Sequence, residues 1–254
     1  MGKVVSFCNP KGGTAKTSTV VNLACALTTV HKRVLLVDFD PQRSASVALG
    51  YNNTDVENNL GTAILDNVDI KRCITSYPKG GFDIVLSSDD LTAIPAVLHD
   101  NPESHLALKK VLDTVKDRYD YILVDTPASL SMISICAICA SDYLIVPLCL
   151  DMFSIDSMNT LLSKYYSLKE QGKTSCVFAG LLRTLFDINQ PLCRTINKEL
   201  ETAFSDLLFK TKITFSHKIS ESSSAACPVL LYDRTCLGAQ QYLSFTGEFL
   251  KRTR

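Results

Sequence analysis

Apolar residues along this chain form short, β-branched runs that alternate with stretches of helical periodicity. Strands are predicted at Lys3–Cys8, Arg33–Asp38, Phe82–Ser88, Tyr119–Asp125, Tyr143–Leu148, Cys176–Leu185 and Leu207–Ile213. Helices are predicted at Thr17–Val30, Leu60–Leu65, Leu91–Leu98, Ser104–Lys116, Ser131–Ala140, Ser154–Gln171, Leu192–Phe204 and Leu237–Leu250. Strands that are apolar throughout and separated by helices indicate a mostly parallel sheet covered on both faces. The sequence therefore predicts a three-layer α/β fold, one domain over residues 1–254, with its ligand at the carboxyl ends of the strands.

Composition changes this picture little. The chain has 254 residues, and its 26 basic residues balance 26 acidic ones, so any nucleic-acid or membrane surface would be a local patch. No apolar run is long enough to span a membrane, and the amino terminus lacks a signal pattern, so a cytoplasmic protein is expected. Cys136 and Cys139 form a C-x-x-C without a second pair of ligands, which favours core packing over metal or redox chemistry.

A glycine-rich loop, NPKGGTAK, joins the first predicted strand to the first helix. Backbone N–H groups in such a loop can surround an anion, and the helix amino terminus adds partial positive charge. The predicted cradle comprises Lys11, Gly12, Gly13, Thr14, Ala15, Lys16, Thr17 and Ser18. Lys16 would reach the β- and γ-phosphates, and the Thr17 hydroxyl would bind Mg²⁺. The strict phosphate-loop pattern fails at Pro10 and Ala15, and we expect a negative φ at Ala15 because it stands just before a helix.

Three aspartates follow predicted strands. Asp38 and Asp40 point to the same side of the second strand by its period of two, out of the carboxyl end. Asp125 follows four apolar residues at the end of a later strand, which is the arrangement of a Walker B carboxylate that holds Mg²⁺ through water. Each aspartate alone could be a cap or a turn residue, but three beside a phosphate loop indicate a nucleotide site.

The segments KGGTAKTS, RVLLVDFDPQRSAS and YDYILVDTPAS resemble the deviant Walker A, Walker A′ and Walker B motifs of ParA (Soj-type) partition ATPases in the ParA/MinD family. The resemblance covers nearly the whole chain. It implies an ATP- and Mg²⁺-dependent, slow ATPase that forms a homodimer, binds DNA without sequence preference and is stimulated by a ParB-like partner. It also implies that Lys11 crosses to the partner's phosphates, that Asp40 positions the attacking water, and that Asp38 belongs to the Mg²⁺ and phosphate network.

The chain departs from the family pattern at several positions. Ala15 replaces a glycine, Ala128 stands where a second proline is frequent, and Asn189 replaces an arginine of the DNA-contact surface. The resemblance places DNA contacts on the carboxyl-terminal half, where Lys218 is kept. Phosphate contacts need charge and little geometry, so other nearby cations could compensate for Asn189. The candidate DNA contacts are Arg194, Lys198, Lys210, Lys212 and Lys218.

Three other functions stay open at this stage. A MinD-like membrane-positioning protein needs an amphipathic carboxyl-terminal helix, whereas Gly247 is expected to interrupt that stretch here. A small-molecule phosphotransferase could use the same scaffold, although it has no use for a lysine that acts on a second subunit. A nucleotide-binding scaffold with impaired hydrolysis would follow if Ala15 abolished turnover. The sequence does not identify the cargo, which could be a chromosome, a plasmid or a protein cluster.

Overall fold

The computed structural model describes residues 2–52 and 56–254, and the eight strands found there form one sheet. The strands are β1 Lys3–Phe7, β2 Val34–Asp38, β3 Ile74–Tyr77, β4 Phe82–Val85, β5 Tyr121–Asp125, β6 Tyr143–Cys149, β7 Val177–Phe186 and β8 Leu208–Thr214. Their order across the sheet is β3-β4-β2-β5-β1-β6-β7-β8. All neighbours are parallel except β3, which pairs antiparallel with β4 at one edge. The predicted α/β class with a mostly parallel sheet is confirmed.

Helices cover both faces of this sheet. They are α1 Lys16–Thr28, α2 Ser44–Ala48, α3 Leu60–Leu65, α4 Ile94–Val97, α5 Ala107–Asp113, α6 Met132–Ala140, α7 Ser154–Glu170, α8 Pro191–Phe204, α9 His217–Ser224, α10 Val229–Tyr232 and α11 Leu237–Arg252. Short 3₁₀ turns occupy Ile70–Arg72, Asp89–Ala93, Ser104–Leu106 and Lys116–Arg118.

Alternating side chains of each strand enter different parts of the core. On one face, Val5 of β1 and Leu36 of β2 pack with apolar residues of α1 and α11. On the other face, Val4 and Leu35 pack with α3 to α6, and the strands toward β8 pack with α7 and α8. Because both faces are buried, the central strands have no polar face, which explains their continuous apolar runs. In the sheet, β5 lies between β2 and β1 and is parallel to both, so the carboxyl ends of the three strands lie side by side.

Most predicted elements are present within one or two residues of their expected ends, and the exceptions have local causes. The helix predicted at 91–98 is instead the 3₁₀ turn Asp89–Ala93 followed by the single turn α4. The one predicted at 104–116 is likewise 3₁₀ at both ends, around α5. The predicted strand 82–88 ends at Val85, and the carbonyl of the next residue, Leu86, accepts a hydrogen bond from the Leu60 N–H instead of continuing the sheet. Prediction missed β3, α2, α9 and α10, which are short elements with little apolar periodicity.

The carboxyl-terminal helix α11 belongs to the fold. Tyr242, Phe245 and Phe249 on its inner face are fully buried in the core beside α1. Gly247 does not interrupt the helix, so that expectation was wrong; an added Cβ there would meet open space. Among the described residues, none of the helices combines the length and apolarity needed to cross a membrane.

Cys136 and Cys139 lie on the buried helix α6 as free thiols. Burial raises the pKa of Cys136 to about 12 and that of Cys139 to about 11. The Cys136 thiol donates a hydrogen bond to the Ser104 carbonyl at 3.2 Å. Thiols with raised pKa values are poor nucleophiles and poor metal ligands, so their surroundings agree with the predicted packing role.

Candidate functional site

The loop between β1 and α1 presents an uninterrupted row of backbone donors. The N–H groups of residues 12–18 have no hydrogen-bond acceptor anywhere in residues 2–52 and 56–254. Gly13 at φ 72° and Ala15 at φ 57° both adopt the left-handed conformation, with one residue between them. Alternation of this kind curls successive N–H groups toward a common centre and makes a concave anion site. The loop therefore has the backbone arrangement of an anion site at the amino terminus of α1, and its role as a phosphate cradle stays a prediction.

Ala15 contradicts the expectation of a negative φ. It is the N-cap residue of α1, at φ 57° and ψ 32°, and its side chain cannot cap the helix. The loop must reverse direction here to enter the helix, and local helix propensity does not reveal that reversal. A methyl group in this region costs about 1–2 kcal/mol relative to an ordinary conformation. Ala15 therefore carries a strain that a glycine at this position would not.

Lys16 lies beneath this loop. Its side chain is largely buried, and its ammonium donates a hydrogen bond to the Lys11 carbonyl at 3.1 Å. Burial lowers the pKa of Lys16, while the nearby charges of Asp125 and Asp40 act in the opposite direction. The amine is thus held against the loop backbone, a position from which a lysine can reach bound phosphates.

Asp125 has one carboxylate oxygen engaged and one open. Its Oδ2 accepts a hydrogen bond from the Thr17 hydroxyl at 2.7 Å, whereas Oδ1 is buried without a partner in the described part of the chain. Burial and the neighbouring Asp38 charge raise the pKa of Asp125 well above its usual range. An open, buried carboxylate oxygen beside a hydroxyl fits Mg²⁺, which binds through one or two carboxylates and completes its shell with phosphate oxygens and water. The residues present therefore fit the predicted metal.

Asp38 is occupied by its own chain. It accepts hydrogen bonds from the Ser46 N–H and hydroxyl, both at 2.7 Å, and from the Asp40 N–H at 3.3 Å. Burial raises the pKa of Asp38 to about 6, although the Ser46 hydrogen bonds oppose the rise. Asp38 thereby fixes the segment that carries Asp40, and its assignment as a metal ligand stays a prediction. Asp40 is mostly buried and accepts from the Gln42 N–H at 2.9 Å.

Lys11 makes an intramolecular ion pair. Its ammonium contacts the Asp151 carboxylate, which follows β6, and it lies 5.8 Å from the centre of the Phe153 ring. Burial alone would raise the pKa of Asp151, but the hydrogen bonds from Lys11 and Ser154 lower it to about 2. Met152 and Phe153 beside this pair are strongly exposed. Lys11 therefore lies at the rim of the site, paired within its own chain.

Sequence reasoning missed two residues that anchor the loop. Asn9 donates from its side-chain amide to the Pro147 carbonyl at 2.8 Å and accepts the Lys11 N–H at 2.9 Å. Thr184 of β7 donates from its hydroxyl to the Thr14 carbonyl at 3.0 Å. Asn9 stands inside the loop motif and could have been noticed there. Thr184 lies 170 positions away from Thr14, and no local pattern identifies it.

The cations considered for DNA contact fall on different elements. Arg194 and Lys198 are exposed and four residues apart on α8, so they share one face of that helix. Lys210 and Lys212 lie on the edge strand β8, where Lys212 pairs with Glu201 at 3.2 Å. Lys218 belongs to α9 and pairs with Glu221 at 2.8 Å. Arg194, Lys198 and Lys212 thus lie on or beside α8, whereas Lys218 lies on a separate helix.

One prediction follows from the strain at Ala15. We expect Ala15→Gly to raise the free energy of unfolding by up to about 1 kcal/mol, because the strain disappears while the unfolded chain gains some freedom. Urea unfolding followed by far-UV circular dichroism, without nucleotide, measures the change. The control is Ala203→Gly, at an exposed position in the last turn of α8, which should gain no stability because alanine is the better helix former. A loss of equal size in both variants would contradict the strain assigned to Ala15.

Comparison with known proteins identifies relatives over the full length. The profile of a protein family described as AAA domain matches residues 2–177. The chain is 33% identical to the sporulation initiation inhibitor protein Soj of Bacillus subtilis, over 98% of both chains. It is 32% identical to the chromosome-partitioning ATPase Soj of Treponema pallidum, over 99% of this chain and 98% of the relative.

A solved structure shares the fold. It is the cobyrinic acid a,c-diamide synthase of Mycobacterium smegmatis with bound ATP analogue and magnesium, which superposes with a TM-score of 0.84 at 24% identity. The superposition covers 99% of this chain and 95% of the synthase. At this identity the likeness concerns the fold alone.

Proposed function

The chain belongs to the ParA/Soj family of partition ATPases, and from this premise we propose that it is an ATP-dependent partition or positioning ATPase. The observation that carries the proposal is the row of backbone donors at residues 12–18 beside the open oxygen of Asp125. Such a row suits the phosphates of a nucleotide, and the open oxygen suits the metal that accompanies them. We place the protein in the cytoplasm, on the nucleoid in its ATP-bound form.

Each residue of the site has a role in this proposal. The N–H groups and Lys16 hold the phosphates, with Thr17 and Asp125 as the residues that would bind Mg²⁺. Bound Mg²⁺ would neutralise part of the phosphate charge. Asp38 holds the segment after β2 through Ser46, and Asp40 at its end orients the attacking water. The charge of Asp40 acts on the Lys16 amine, which supports a place for Asp40 near the phosphates.

Dimerisation would use Lys11. In the single chain its ammonium is neutralised by Asp151 at the exposed rim of the site. Phosphates of a second copy would offer it a higher negative charge than one carboxylate does, so the ion pair can be exchanged when both copies hold ATP. Met152 and Phe153 are exposed beside it and would be covered in the same contact. ATP would thereby control association, and a ParB-like partner would stimulate hydrolysis and release.

Sedimentation velocity with ATP and Mg²⁺ tests this scheme. We expect a dimer for the wild-type protein, a monomer for Lys11→Ala, and a persistent dimer for Asp40→Ala, which binds ATP but does not orient the water. Lys79→Ala, at an exposed position remote from the site, is the control and should behave as wild type. A monomeric Asp40→Ala protein at saturating ATP would contradict the proposed ATP-dependent dimerisation. A wild-type dimer that releases no phosphate would support the impaired scaffold instead.

Non-specific DNA binding is the second part of the proposal. Exposed Arg194 and Lys198 on α8 and Lys210 on β8 support it, since contacts to DNA phosphates depend on charge rather than precise geometry. With ATP bound, the double variant Arg194→Gln and Lys198→Gln should weaken binding to random duplex DNA. The negative slope of log affinity against log salt concentration should become shallower by about 2, as two phosphate contacts are lost.

The matched control is Lys71→Gln with Lys79→Gln, which removes the same charge near the opposite edge of the sheet. Fluorescence anisotropy across a range of salt concentrations separates the two double variants. Equal losses in both would mean that net charge, rather than the α8 surface, determines binding. Flotation with anionic vesicles would favour the MinD-like alternative, although the buried apolar face of α11 does not support it.

A further inference from the structure

Thr184 connects the phosphate loop to a strand far away in the sequence. It is fully buried near the carboxyl end of β7, opposite Cys149 of β6. It shares a sheet face with Leu182, whose side chain packs in the α1 side of the core. From there its hydroxyl donates to the Thr14 carbonyl at 3.0 Å. The middle of the loop is therefore held from outside by a side chain of β7.

This bond fixes the orientation of one peptide unit. The described residues contain no cis peptide bond, so the C=O of Thr14 and the N–H of Ala15 point in opposite directions across a planar unit. Holding the carbonyl against β7 turns the Ala15 N–H away from that strand. This N–H is one of the seven at residues 12–18 without an acceptor among the described residues.

We propose that Thr184 is a positioning residue of the nucleotide site, which aims the Ala15 N–H at a bound phosphate. The inference rests on the proposed binding of nucleotide. In this inference a β7 side chain, rather than the loop backbone alone, sets the orientation of the peptide unit between Thr14 and Ala15. Ala15 is strained in its left-handed conformation, so a change of its φ would lower the conformational energy. That change would rotate the same peptide unit. The Thr184 hydroxyl opposes that rotation.

Substitutions that differ only in the hydroxyl test the inference. Thr184→Val keeps the shape and removes the donor, whereas Thr184→Ser keeps the donor. Thr184→Ala compared with Thr184→Ser gives the same contrast if valine does not fold. Thr246→Val is the control, since its buried hydroxyl donates to the Tyr242 carbonyl within α11, at 2.8 Å, away from the nucleotide loop.

The affinity for a fluorescent, non-hydrolysable ATP analogue with Mg²⁺ is measured by titration, and unfolding without nucleotide is measured in parallel. We expect Thr184→Val to weaken binding about tenfold or more, the loss of one hydrogen bond to a charged group. Thr184→Ser should stay within about threefold of wild type, and Thr246→Val should bind as wild type does. Wild-type affinity in Thr184→Val, or in Thr184→Ala should valine not fold, would overturn the inference.

A second measurement separates positioning from mere support of the fold. In ¹⁵N-labelled protein, the Ala15 amide proton should shift when ADP and Mg²⁺ are added to wild type and to Thr184→Ser. The shift should be lost in Thr184→Val, or in Thr184→Ala, while other loop amides still respond. An unchanged Ala15 response would overturn the inference. Failure of the wild-type protein itself to bind nucleotide would instead refute the proposed function.

Discussion

The site depends on backbone donors that the protein leaves without acceptors. A buried or half-buried N–H group without a partner is costly, and proteins rarely retain several in succession. Here two contacts to parallel strands hold the loop: the Asn9 side chain, just after β1, bonds to the Pro147 carbonyl of β6, and the Thr184 hydroxyl of β7 bonds to the Thr14 carbonyl. These contacts with the sheet therefore keep the loop in a concave shape that it would not maintain alone. A bound anion would supply the hydrogen-bond acceptors that these N–H groups lack within the described residues.

The same edge of the sheet gathers charges that oppose one another. Asp38 and Asp125 are fully buried on adjacent strands, directly across from each other in the β2–β5 register, and the Asp38 charge raises the pKa of Asp125. Lys16 offsets only part of this, and its own burial lowers its pKa. A divalent cation would reduce the repulsion between these two carboxylates, which one partly desolvated amine does not neutralise. The electrostatics thus favour the metal on the same grounds as the open oxygen of Asp125.

Much of the fold and of the site was predictable because its causes are local. Strands buried on both faces show as apolar runs, and the phosphate loop, Asp38 and Asp125 stand directly at their ends. The rest depends on contacts that leave no mark in the nearby sequence. The left-handed Ala15 reflects a reversal imposed by the surrounding strands, and the Lys11–Asp151 pair joins residues 140 positions apart. The antiparallel β3 was missed because a short edge strand has little apolar patterning.

Alternation along β7 has a mechanical consequence. Thr184 faces α1, whereas the adjacent Arg183 faces the opposite layer, where its buried guanidinium bonds to Asn197 and Glu201 of α8 and to the Phe209 carbonyl of β8. Close packing transmits small displacements rather than absorbing them. A tilt or slide of this strand would accordingly displace the nucleotide loop on one face of the sheet together with α8 on the other.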